Sequence, residues 1–131
     1  MTIAIDTVCT HADLVREVVS ADRLNNLLPP EWNGDTTAAR QHGLDRVLRS
    51  LSRRRPPIVE SDLTDATELK VAVLYATLEH LFGSAQHTDD GAFGLQRKRY
   101  EERYVSEISG LTPKVGGGLA GPPLSIGLSR R

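Results

Sequence analysis

The chain has little suited to covalent crosslinking, membrane insertion or long-range electrostatics. Its 131 residues include one cysteine, Cys9, so no disulfide closes within the chain and a reducing setting is expected. Cys9 has only His11 near it and no flanking Lys or Arg to activate it, so the thiol is expected to be packing rather than a nucleophile. No apolar run approaches the roughly 18–20 residues that a membrane span requires. The opening "MTIAIDTVCT" lacks the basic region and apolar core of a signal peptide, which predicts a soluble protein working inside a cell or in a particle assembled there. Sixteen basic and seventeen acidic residues give a formal net charge of -1, so any electrostatic message must be local.

Motifs of chemistry are equally scarce. The glycines of "TPKVGGGLAGPP" follow Lys114 rather than precede it, lack GK[ST] and lead into no helix, which excludes a phosphate loop. His80 and His87 stand near Glu79, Asp89 and Asp90, but no HExxH or Cys/His spacing supports a metal site. There is no GxSxG elbow and no pair of carboxylates in an apolar setting. The expectation is a protein without catalytic residues, cofactor or metal.

What is present is helical periodicity, enough for one small domain. A first helix is predicted from about Ala12 to Leu28, with Thr10 as N-cap, a stripe of Leu14, Val15, Val18, Ala21 and Leu24, and a stop at Pro29-Pro30. A second, capped by Asp35 or Thr36, runs to about Ser52 with Leu44, Val47, Leu48 and Leu51 on its apolar face. Gly43 weakens its middle, and "RRRPPI" ends it in extended linker.

The third predicted helix is capped by Asp65, with Glu68 as capping-box partner, and reads to about Phe82, closed by Gly83 and Ser84. Leu69, Val71, Leu74, Tyr75, Leu78, Leu81 and Phe82, with Ala72, Val73 and Ala76, make it apolar nearly all round. Only a strip through Lys70, Thr77 and His80 remains polar, which marks it as the central helix. A fourth starts near Asp89 or Asp90, carries Phe93, Tyr100, Tyr104, Ile108 and Leu111 on one side, and ends at Gly110, expected in the left-handed C′ position. The fold class is therefore all-α: a small four-helix bundle-like domain over residues 1–111, followed by a Gly/Pro-hinged arm over 112–131. In that arm Leu124, Ile126 and Leu128 alternate with Ser125, Gly127 and Ser129, a short β-strand pattern that needs a pairing partner elsewhere. Pro122 and Pro123 stiffen its approach.

Charge is unevenly laid out. Arg46, Arg49 and Arg53 recur on the second helix opposite its apolar face, and Arg54-Arg55 follow. They read as a solvated face, as contacts to phosphate backbone or as contacts to an acidic surface on another subunit. From Glu60 to Asp90 the acids are opposed only by Lys70, an asymmetry that suits head-to-tail association into a ring.

"SDLTDATELKVAVLYATLEHLFGSA", followed by "DDGAFGLQRKRYEERYVSEISGL", resembles the small head-completion or head–tail adaptor (connector) proteins of tailed phages. The likeness rests on Glu68, Leu69, Lys70, Ala72, Tyr75, Leu78 and Leu81, then on Tyr100, Tyr104, Glu107 and Ile108. The opening "HADLVREVVSADRLNNLLP" is similar to that family's first helix. The resemblance implies a structural virion protein at the head–tail neck, assembled in the host cytoplasm as a homo-oligomeric ring of about twelve copies. It further implies binding to the portal protein and to a tail-side connector or tail terminator protein, with genomic DNA passing through without sequence readout. The alternative from the residues alone is a small helical DNA-binding regulator using the basic helix face.

Overall fold

The computed structural model describes residues 3–18, 24, 28, 32–85 and 92–115. Among these the chain is helical, with one isolated bridge and no strand. The helices are α1 (His11–Val18), α2 (Thr37–Ser52), α3 (Lys70–Ala85) and α4 (Ala92–Gly110), with short 3-10 turns at Ile5–Thr7, Glu60–Asp62 and Ala66–Leu69. Beyond α1, Leu24 and Leu28 of the first predicted helix are buried. Pro122, Pro123, Leu124, Ile126 and Leu128 of the arm lie outside the described residues, as do His87, Asp89, Asp90 and the Phe93 side chain.

The starts of α1, of α2 and of the turn leading into α3 are each explained by a side chain holding a backbone N–H group that has no intrahelical acceptor. At α1, Thr10 Oγ1 accepts from the Asp13 amide at 3.2 Å while Asp13 Oδ2 accepts from the Thr10 amide at 2.9 Å, a reciprocal capping box. Burial by itself would raise the Asp13 carboxyl. Hydrogen bonds from Thr10 and from Lys70 outweigh that, and the group is held below its ordinary value. Before α2, Asn33 (φ 50°) and Gly34 (φ 80°) make a left-handed pair closed by the Asp35 amide on the Trp32 carbonyl at 2.9 Å. Asp35 then accepts from the amide and hydroxyl of Thr37, so Asp35 caps α2, and the Thr36 side chain is turned inward and fully buried.

The third segment departs from its expected form in four ways. Asp65 does cap it, accepting from the Thr67 amide, but the first turn is 3-10 and α3 proper starts at Lys70. Gly83 and Ser84 do not end it, since the helix continues to Ala85. Val71, expected in the core, is 40 % exposed on the outer side of the first turn. Thr77, expected in a polar strip, is fully buried; its hydroxyl donates to the Val73 carbonyl at 2.7 Å, which removes the cost of burying it. Leu69, Ala72, Val73, Ala76, Leu78, Leu81 and Phe82 are buried, with Leu74 and Tyr75 half-buried against them. Thus α3 is the central helix, packed by α2 on one side and α4 on another.

Gly43 is a packing device rather than a weak point of α2. A Cβ built there would lie 2.4 Å from Thr77 Oγ1 and 2.9 Å from the Val73 carbonyl oxygen. Only a glycine lets α2 approach α3 this closely. Gly110 is also not as expected, being the last helical residue and not left-handed. The end of α4 is instead satisfied by Arg54, whose guanidinium donates to the carbonyls of Ile108 and Leu111.

The domain does not stop at Leu111. Pro113 is buried, the Lys114 amide donates to Glu68 Oε1 at 3.0 Å, and the Thr64 amide donates to the Lys114 carbonyl at 3.3 Å. Leu63 and Val115 form an antiparallel bridge. Glu68 is therefore not the capping-box partner of Asp65, because a tertiary contact with the root of the arm uses its carboxylate.

Two measurements test this packing. Gly43→Ala should destabilise the fold by about 1–3 kcal/mol through overpacking, although alanine is the better helix former. Gly110→Ala, with nothing within 4 Å of its added Cβ, should be neutral or stabilising by up to about 1 kcal/mol. Denaturant midpoints moving in the same direction for both would refute the close approach. Cys9 is fully buried, and burial pushes its thiol up to about 11. A thiol reagent at neutral pH should therefore label Cys9 at the rate of protein opening and immediately in denaturant; prompt labelling of the native protein would contradict that placement.

Candidate functional site

The predicted arginine row does not behave as a unit. Arg46 is partly covered: it pairs with Glu79 of α3, and its guanidinium carbon lies 4.1 Å from the ring centre of Tyr104 in α4. Glu79 also faces Arg97 at 3.9 Å, so one carboxylate serves two cations. Arg49 and Arg53 are exposed, and among the described residues no ion pair engages either. Asp45, the acid carried by α2, accepts instead from Gln41 at 3.0 Å.

These arginines edge a shallow groove of about 440 Å³ lined by His42, Arg46, Arg49, Ser50, Arg53 and Tyr104. Its floor is fixed. Tyr104 is 3 % exposed, its hydroxyl lies 2.9 Å from Ser50 Oγ and 3.4 Å from the Arg46 carbonyl, and its face is covered by Arg46. At one end His42 stacks on His80 with ring centres 4.0 Å apart. Burial, and then the neighbouring His42, hold His80 below its ordinary imidazole value against the opposing pull of Glu79.

Several carboxylates accept from the chain's own backbone N–H groups. Glu60 accepts from the Ile3 amide, Asp62 from the Val59 amide, Asp65 from Thr67 and Glu68 from the Lys114 amide. Within the acid-rich stretch these four carboxylates hold backbone of the same chain, Glu79 faces Arg46 and Arg97, and Asp89 and Asp90 lie outside the described residues. A second hollow, between α1 and α4, carries Arg99 and Arg103, but Glu17 pairs with Arg103 at 3.4 Å and accepts from Tyr100 at 3.2 Å. Among the described residues, no group of three or more His, Cys, Asp or Glu side chains is placed to hold a metal, and no helix is long and apolar enough to cross a membrane.

Sequence reasoning missed Arg40, a buried cation. Its guanidinium donates to Thr36 Oγ1, to the Cys9 carbonyl at 2.9 Å, to Asp6 and to Thr37, tying the N-terminal turn to α2. It also missed Arg54 as the cap of α4. Comparison with family models, with curated proteins and with solved structures finds no match to this chain.

Substitution separates structural from surface arginines. Arg49→Gln and Arg53→Gln should leave the melting temperature unchanged, within about 0.5 kcal/mol. Arg46→Ala should cost about 1–2 kcal/mol through loss of the Glu79 and Tyr104 contacts. Equal losses at all three positions, by calorimetry, would show that the row packs as one surface.

Proposed function

We propose that the chain is a structural adaptor of the head–tail connector kind. In this reading it assembles as a ring beneath a portal protein and holds its neighbours through residues 116–131. The observation that carries the proposal is the fixed root of the arm. Glu68, Thr64 and Leu63 hold Lys114 and Val115 on the body, so whatever follows leaves from a defined point. The helical body has a core of its own up to Leu111, and the sequence beyond it alternates Leu124, Ile126 and Leu128 with Ser125 and Gly127, the pattern of an apolar strand edge. Such an edge suits strand addition to a partner, where main-chain hydrogen bonds supply affinity and alternate side chains supply register. Ring formation, the portal and tail-side partners and passage of genomic DNA all belong to this proposal.

Deletion of residues 116–131 should leave the helical circular dichroism and the melting temperature nearly unchanged. It should abolish joining to portal rings, viewed by electron microscopy beside the full chain. If the truncated protein unfolds, the arm is part of the core. If it still joins the portal, the anchor lies elsewhere.

A further inference from the structure

The geometry points to the groove of His42, Arg49, Ser50 and Arg53 as a binding site for the sugar–phosphate backbone of duplex DNA, without base readout. The inference deepens the adaptor reading and rests on it for its biological setting, though the site is argued from its own chemistry.

Three observations converge. First, the positive charge here is in excess. Glu79 is shared between Arg46 and Arg97, and Asp45, which keeps its charge while accepting from Gln41, is the one acid on α2 against Arg40, Arg46 and Arg49. Arg49 and Arg53 project from an exposed face with no acid in an ion pair with them among the described residues. Second, the charges form a row. Arg49 and Arg53 stand four residues apart, about 6 Å along the helix axis, with Arg46 about 4.5 Å before them. A string of phosphates answers such a row better than one small anion does, and the guanidinium fork suits phosphate oxygens.

Third, the groove's surfaces rule between classes of polyanion. A protein ligand needs an apolar pocket for an anchoring side chain, and this lining is mainly polar. A single strand needs an open aromatic face on which to stack its bases. Tyr104 is buried beneath Arg46, which leaves one face of the small His42 imidazole, the other being stacked on His80, as the groove's whole stacking surface. What remains is backbone contact from two or three cations per subunit, weak in one copy and multiplied where copies are arrayed.

The test uses the full chain and a labelled duplex of about 30 base pairs, read by anisotropy. With two or three phosphate contacts, the affinity should fall about 10- to 40-fold between 50 and 200 mM salt and should not depend on sequence. The R49E/R53E double variant should lose at least about tenfold in affinity with an unchanged melting temperature, whereas K98E/R99E, an exposed basic pair on α4, should bind within about twofold of the parent. Three outcomes would each overturn the inference: no duplex binding at low salt, equal binding by R49E/R53E, or polyglutamate or single-stranded DNA binding at least as tightly as duplex. Portal-ring assembly, followed in parallel, separates the two readings. Rings that form without duplex binding sink the DNA site alone, and duplex binding that requires Arg49 and Arg53 without rings sinks the adaptor alone. Loss of rings in R49E/R53E with no duplex binding makes the groove a subunit contact and overturns the inference.

Discussion

The close approach of α2 to α3 at Gly43 is the constraint on which the rest of the arrangement depends. With no Cβ at that position, the backbone of α2 rests against Thr77 and the Val73 carbonyl. Thr77 can lie there because its hydroxyl is satisfied one turn back on its own helix. That contact brings the later turns of α2 over α4: Arg46 reaches the Tyr104 ring, Ser50 reaches its hydroxyl, and Arg54 reaches the last carbonyls of α4. A wider spacing would separate all three together. Those contacts form the floor of the groove, so a packing decision inside the core sets the shape of the basic surface.

A second theme is the use of charged side chains on backbone groups. A buried amide or carbonyl without a partner costs about 1–3 kcal/mol, and a charged partner binds it more strongly than a neutral one. Arg40 takes the Cys9 carbonyl, Arg54 the end of α4, Glu60 the Ile3 amide and Glu68 the Lys114 amide. In each case the bond joins segments more than thirty residues apart in sequence, so these charges close the fold at its edges.

Sequence periodicity was a sound guide where burial is decided by one helix alone. Leu44, Val47 and Leu51 face the core as their spacing implies, α2 ends at Ser52, and Thr10 and Asp35 cap as their chemistry allows. It failed where another segment decided the outcome. Val71 fits the apolar stripe, but no helix among the described residues packs over that part of the first turn closely enough to bury it. Thr77 looks polar until its hydroxyl is seen bonded to its own helix, and Glu68 has the spacing of a capping box but the Lys114 amide takes its oxygen. Arg40 is indistinguishable by residue type from Arg49, and what separates them is the N-terminal turn folding over one and not the other. Long-range partners of this kind leave no period in the sequence.

Arg53 and Arg54 bring the two candidate functional features next to each other. Arg53 lines the groove, while its neighbour Arg54 grips the carbonyls of Ile108 and Leu111, directly before the segment that Glu68 and Thr64 pin in place. Groove and arm root are therefore built on one rigid junction, the end of α2 against the end of α4. A ligand at the groove that moved the arm would first have to make Arg54 release the Ile108 and Leu111 carbonyls, of which, among the described residues, Ile108 alone keeps a second donor, the Leu111 amide. The arrangement fits a scaffold that presents two surfaces in a fixed relation better than it fits a switch, and a fixed relation is what repeated assembly of identical copies requires.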